Sequence, residues 1–194
     1  AAPPERSFRV PKIRPILAAL AAVVALTGCQ SAPTSLPLIA IQAFAAVSKS
    51  SPAQTGFGGS ATLGIGAVAG VGLRAAGGYE YSMWDGGHDD VLSLGLQARR
   101  SLSGVPGSLS LGGEAVYHRW ICKSDDLAGC GERPAANGFG LNGLVFVPVA
   151  GGKANVWASA GPKWLTDFEA DGVVAFESGF GWHARLGVEL PIGR

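Results

Sequence analysis

Residues 173–190 read VVAFESGFGWHARLGVEL, and their polarity alternates along the whole stretch. Val174, Phe176, Phe180, Trp182, Ala184, Leu186, Val188 and Leu190 share one parity with Ser178. Glu177, Gly179, Gly181, His183, Arg185, Gly187 and Glu189 share the other with Val173 and Ala175. A period of two puts successive side chains on opposite faces of a β-strand. The chain must therefore build a sheet with one apolar and one polar face, and the question is which face meets water.

The same pattern recurs upstream. Over 91–102, Leu92, Leu94, Leu96 and Ala98 oppose Ser93, Gly95, Gln97 and Arg99; over 108–121, Leu109, Leu111, Ala115 and Tyr117 oppose Ser110, Gly112, Glu114 and His118. Over 138–149, Phe139, Leu141, Val145 and Val147 oppose Gly140 and Asn142; over 154–165, Val156, Ala158 and Ala160 oppose Asn155, Ser159, Gly161 and Lys163. The segment 61–84 alternates as well, and a break at RAAGG (74–78) turns it into a hairpin. With 36–47 as the first strand, the count reaches eight. That first segment is apolar on both faces and also suits a small amphipathic helix.

Three features decide against a soluble sandwich, whose polar face would be wet. The polar face is mostly Gly and Ser, and charged residues make up only 15% of the chain, against about 25% in ordinary domains. Several strands are longer than the usual 5–6 residues and reach the 9–11 that span hydrocarbon. The connections also alternate in kind. WDGGHDD (84–90), CKSDDLAGCGERPAAN (122–137) and TDFEADG (166–172) are polar and acidic, whereas SGVPG (103–107) and AGGK (150–153) are short turns. Long loops at one end and short turns at the other are the plan of outer-membrane barrels. The 30 glycines, scattered along the chain, disfavour helices. The expected fold is all-β, an antiparallel up-and-down transmembrane β-barrel of eight strands. Over 61–192 the pattern resembles small barrels of the outer-membrane-protein-A transmembrane type. Those chains usually end in an aromatic residue, whereas this sequence ends GVELPIGR.

The N-terminal region sets the compartment. Arg6, Arg9, Lys12 and Arg14 precede ILAALAAVVAL (16–26), which leads into LTGC ending at Cys29. A basic region, a short apolar run and a small-residue site make an export signal, too short to span a bilayer. LTGC resembles the lipobox of bacterial lipoproteins, which implies acylation of Cys29; an ordinary signal with an incidental cysteine is the other reading. The expected organisation is a signal over 1–28, an acylated tether over 29–37 and a barrel over 38–194. Gln30 follows Cys29, not the aspartate that resembles an inner-membrane retention signal, so the expected location is the bacterial outer membrane. There the anchor sits on the periplasmic side and the loops at the cell surface. After residue 28 the chain carries 11 basic and 13 acidic residues, a net of −2. With no basic, aromatic-interleaved patch, nucleic acid is excluded as a partner. The expected partners are membrane lipid, lipopolysaccharide and other envelope proteins.

Export places Cys122 and Cys130 in an oxidising compartment, so a disulfide within one loop is expected, with a metal site as the alternative. Parity assigns Arg74, Glu80, Arg99, Glu114, His118, Lys163, Glu177, His183, Arg185 and Glu189 to the lumen. Buried charges need partners, so these residues are expected to form a salt-bridge network that plugs a narrow barrel. The functional alternative is an ion path with His118 and His183 as titrating gates. The acidic loop residues, Asp85, Asp89 and Asp90, Asp125, Asp126 and Glu132, and Asp167, Glu169 and Asp171, read as solvated, with Ca²⁺ binding as the alternative. His88 among the first group reads as solvated too. No GxSxG, HExxH or phosphate-binding loop occurs, so neither an enzyme nor a cofactor is expected. Mass spectrometry of the mature protein is expected to find a lipid-modified fragment beginning at Cys29; an unmodified N-terminus elsewhere contradicts that reading.

Overall fold

The computed structural model describes residues 39–49, 53–84, 87–102, 109–123, 135–165, 168–170, 173–176 and 179–192. Ten strands follow in order: β1 (Ile39–Lys49), β2 (Gln54–Val68), β3 (Val71–Trp84), β4 (Gly87–Ser101), β5 (Ser110–Lys123), β6 (Ala135–Val149), β7 (Ala154–Leu165), β8 (Phe168–Ala170), β9 (Val173–Phe176) and β10 (Gly179–Ile192). Eight of them close a barrel in the order β1-β10-β7-β6-β5-β4-β3-β2, and β8 pairs with β9 in a separate two-stranded sheet. All pairings are antiparallel, and closure comes from β1 against β10, with Ile39 opposite Ile192 and Lys49 opposite Trp182. The expected all-β, eight-stranded barrel is the observed fold. Closure leaves the barrel no free edge.

The boundaries differ in three places. The first hairpin turns at Ala69–Gly70, both at positive φ (50° and 78°), and not at 74–78. A two-residue turn with both residues at positive φ suits the twist of flanking strands. Gly77 and Gly78 are paired strand residues instead, and a Cβ at Gly78 would lie 2.9 Å from Ser60 Cβ, so glycine there serves packing. This moves β2 back to Gln54, ahead of the alternation that begins at 61. Second, 84–90 is not a loop: β3 runs to Trp84 and β4 starts at Gly87. Third, 173–190 is not one strand, because 173–176 pairs with 168–170 and β10 starts at Gly179. Alternation alone cannot tell a barrel strand from one arm of a separate hairpin. The first strand, 39–49, is a strand and no helix; Gln42, Phe44 and Ser48 face inward, and Ile39, Ile41 and Val47 outward.

The outer wall is apolar between two polar levels. On β4, Leu92, Leu94, Leu96 and Ala98 face outward between Asp90 and Arg100. Ten residues at about 3.4 Å each, tilted by about 45°, rise roughly 25 Å, the height of a barrel's hydrocarbon band. Toward the loop end the outer wall carries Phe57, Tyr79, Tyr81, Tyr117, Phe139, Trp164, Phe180 and Trp182 on six of the eight strands. Their hydroxyls mark a polar level, since Tyr79 donates to Asp90 (2.5 Å) and Tyr117 to Asn137 (2.6 Å). Toward the short-turn end the apolar outward residues are mainly aliphatic, including Ile41, Leu63, Leu96, Leu111, Val147, Leu190 and Ile192, with Arg100 beyond them on β4. Aromatic girdles of this kind sit at membrane–water interfaces.

Residues 1–38, and with them the expected signal and Cys29, lie outside the described residues, as do Cys130, Asp85, Asp125, Asp126, Glu132, Asp167, Asp171 and Glu177. No helix among the described residues is long and apolar enough to cross a membrane, a test that does not bear on strands. Leu186 is 61% exposed on the outer wall, well within the apolar band. In lipid vesicles, Leu186→Arg is expected to lower unfolding stability by roughly 2–4 kcal/mol in urea titrations. An unchanged midpoint would place that face in water.

Candidate functional site: the barrel lumen

Nine of the ten charged residues assigned to the lumen by parity are described, and the structure places all nine inside the barrel. Arg74, Glu80, Arg99, Glu114, His118, Lys163, His183, Arg185 and Glu189 are each buried. Strand β10 organises them, because its inward His183, Arg185 and Glu189 each reach an opposite charge across the lumen. Glu189 meets Arg99 of β4, with Oε2 2.8 Å from one terminal nitrogen and Oε1 accepting from the other at 3.0 Å. Arg185 donates to Glu114 of β5. His183 Nε2 lies 3.3 Å from Oε2 of Glu80 on β3.

Neutral groups complete each carboxylate. Glu189 also accepts from Gln42 (2.8 Å) and Asn155 (2.9 Å), and Glu114 from Gln97 (2.9 Å) and Asn142 (2.9 Å). Arg99 donates twice to Gln97 Oε1, at 2.7 and 3.2 Å, so one glutamine joins the two ion pairs. Arg185 Nε reaches Ser159 Oγ at 3.1 Å, Ser60 donates to Gln42 at 2.6 Å, and Arg74 Nε donates to Thr62 at 3.0 Å. A buried ion pair offsets its desolvation cost only when its remaining valences are filled in this way.

The lumen is not polar throughout. Phe44, Ala46, Leu144, Phe146 and Trp157 form an apolar cluster inside the barrel. Phe44 stands opposite Gly58 on one side and Gly187 on the other. A Cβ at Gly58 would lie 2.8 Å from Phe44 Cζ, so that glycine makes room for the ring, whereas a Cβ at Gly187 would lie 2.9 Å from Phe44 Cα and Cβ, so glycine there lets the β1 backbone approach. The guanidinium carbon of Arg99 sits 3.7 Å from the Phe146 ring centre, and that of Arg185 5.5 Å from the centres of Phe44 and Trp157. The aromatic faces thus take part in holding both cations.

Nearer the loop end lies a second arrangement. His118, His183, Glu80, Lys163, Gln54, Trp120 and Val91 line a cavity of about 10 Å³, room for one water. The two imidazole rings meet edge-on at 5.7 Å, and Lys163 Nζ lies 5.2 Å from the Trp120 ring centre. His118 Nδ1 is buried with no hydrogen-bond partner among the described residues. Above it Asp89 is fully buried, accepting from Gln54 at 2.6 Å and from Trp84 at 3.4 Å. This corrects the reading of Asp89 as a solvated loop residue. It occupies an inward position of a strand that continues past the apolar band. His88, one position earlier, faces outward and stacks on Tyr81 at 4.6 Å.

Parity alone would have found the lumen residues that the sequence reading passed over. Trp120 shares the parity of Glu114 and His118, Leu144 and Phe146 that of Asn142, and Trp157 that of Asn155 and Ser159. Their hydrophobicity concealed them. Among the described residues no cluster of His, Cys, Asp or Glu has the geometry to hold a metal.

Solved structures with the same architecture exist. Neisserial surface protein A (NspA) superposes with a TM-score of 0.53 at 17% identity, covering 79% of this chain and 96% of that one. The N-terminal β-barrel domain of Pseudomonas aeruginosa OprF matches with a TM-score of 0.47 at 17% identity, over 78% and 96% of the two chains. No protein-family model matches the sequence. No curated protein matches it. The likeness to NspA is one of fold: an eight-stranded antiparallel β-barrel.

Glu189 is 1% exposed and holds four donors, so Glu189→Ala strands Arg99 inside the lumen. Breaking such a pair is expected to cost about 3–5 kcal/mol, while the double variant Arg99→Met/Glu189→Leu costs less than the two single losses combined. Urea unfolding followed by the shift of the folded band on a gel measures both. Additive losses would deny the coupling.

Proposed function

We propose that this protein is a bacterial outer-membrane β-barrel lipoprotein, anchored through Cys29 on the periplasmic side, that acts as a structural and interaction module displaying loops at the cell surface. The observation that carries the reading is the pairing of two opposite surfaces in one sheet. An outer wall apolar over about 25 Å supports membrane insertion. A lumen crossed by Arg99–Glu189 and Arg185–Glu114, and packed with Phe44, Phe146 and Trp157, supports a plug in place of a pore. With its interior filled, the barrel has only its ends and its outer wall to offer a partner. The first and last barrel residues, Ile39 and Ile192, lie at the same end as the short turns at 69–70 and 150–153, which is the end a periplasmic anchor requires. At the opposite end β5 stops at Lys123 and β6 starts at Ala135, and β7 stops at Leu165 and β10 starts at Gly179, so the sequence between those strands is what the loop end has to display. A disulfide between Cys122 and Cys130 would hold the β5–β6 connection in one shape and lower the ordering cost of binding.

A small ion passage is the second reading, supported by the cavity between His118, His183 and Glu80. Reconstitution in planar bilayers separates the two. The plug reading predicts no conductance steps at neutral pH from protein whose gel mobility is heat-modifiable. Steady conductance from that folded form, abolished by bulky substitutions at His118, would establish the passage instead.

A further inference from the structure

On the outer wall across β4 to β7 the apolar band is not smooth. Leu94, Tyr117, Phe139 and Trp164 form one row of large side chains. In the next row Ala115 stands between Leu96 and Leu141. The drop in size at Ala115 opens an apolar groove of about 440 Å³, floored by the backbone of Gly95, Val116 and Gly140. That volume is within the range of sites that hold a small molecule, about 300–1,000 Å³. One residue step beyond the groove on β5, toward the loop end, Arg119 faces outward and is exposed, beside the level marked by the Tyr117–Asn137 hydrogen bond. An apolar trough that runs up to a cation at the interface is complementary to a molecule with an acyl chain below and a phosphate above.

We infer that this groove binds one lipopolysaccharide molecule of the loop-side leaflet, with an acyl chain seated on Ala115 between Leu96, Leu141 and Phe139 and a lipid A phosphate on Arg119. The inference rests on the membrane reading given above and deepens it. A convex wall gives passing lipid chains one side of contact, whereas the groove surrounds a chain with Leu94, Tyr117, Phe139 and Trp164 as well, so a chain seated there gains van der Waals contact that a smooth wall does not offer. The aromatic rims are rigid, which lowers the ordering cost at the site. Distance supplies the leaflet preference: Arg119 is the next outward position from Tyr117 on the groove's rim, whereas the outward cation at the short-turn end, Arg100, is separated from the groove by the row Ala98, Gly113, Gly143 and Ala160.

The test uses the full chain folded in detergent and in vesicles. Heat-modifiable mobility in vesicles is scored first. Native mass spectrometry then counts lipid retained after incubation with hexa-acylated lipid A or, separately, with phosphatidylglycerol. The wild type is expected to retain one lipid A and to prefer it over phosphatidylglycerol about tenfold. Ala115→Trp, which fills the groove, and Arg119→Gln are each expected to reduce retention about tenfold, while Leu186→Trp on another part of the wall leaves it unchanged. Equal retention of the two lipids overturns the choice of lipopolysaccharide. Retention unaffected by both Ala115→Trp and Arg119→Gln overturns the site. A chain that folds in vesicles but keeps no lipid fails this inference alone, and one that never inserts fails the membrane reading with it.

Discussion

The ion pairs that β10 throws across the lumen are the constraint on which the rest of the barrel depends. A narrow eight-stranded barrel must fill its own interior. Here it does so with charges of both signs, and a buried charge without a partner costs several kcal/mol. Glu189, Arg185 and His183 lie on one strand and find Arg99, Glu114 and Glu80 on three others. Those pairings hold only when β10 is in register with β1 and β7 at once, so the pattern of charge inside selects the register of closure. A slip of one residue would turn Arg185 and Glu189 to the outer wall and Leu186 and Leu190 inward.

The outer wall follows from the same parity. Glycine and small residues line much of the inner face, while the outer face carries aliphatic side chains and an aromatic belt at the loop end. Some inner glycines are matched to particular large neighbours, as Gly58 is to Phe44 and Gly138 to Trp120. The lumen is consequently a layered solid: an apolar layer around Phe146 and Trp157, cations resting on its rings, and the histidine cavity nearer the loops. Under the proposed reading, that layering makes the interior a plug and leaves interaction to the loop end and the outer wall.

Much of this was legible in the sequence, and the exceptions have physical causes. The fold, the strand parity and the inward placement of Arg74, Arg99, Glu114 and Lys163 all follow from a period of two. What parity could not supply was the ends of strands. The polar run 84–90 has the composition of a loop, yet Asp89 is paired inside and Asp90 bonds Tyr79 outside, because β4 continues past the apolar band. RAAGG has the composition of a turn, yet the chain turns at Ala69–Gly70, where two positive φ angles are needed. The apolar lumen residues Phe44, Leu144, Phe146 and Trp157 escaped because an inward position in a membrane barrel was equated with polarity. The partners of each charge, set by closure and stagger, are beyond any local pattern.

The account stands on one claim, that a single parity separates lipid from lumen along every barrel strand. Single-cysteine spin labels placed one at a time from 179 to 192 in vesicle-inserted protein test it most directly. The prediction is a period-two profile in which labels at Phe180, Trp182, Leu186, Val188 and Leu190 collide with oxygen dissolved in the hydrocarbon. Labels at Gly181, His183, Arg185 and Glu189 should be immobile and shielded from it. A profile without that period, or one with its phase reversed, would contradict the account.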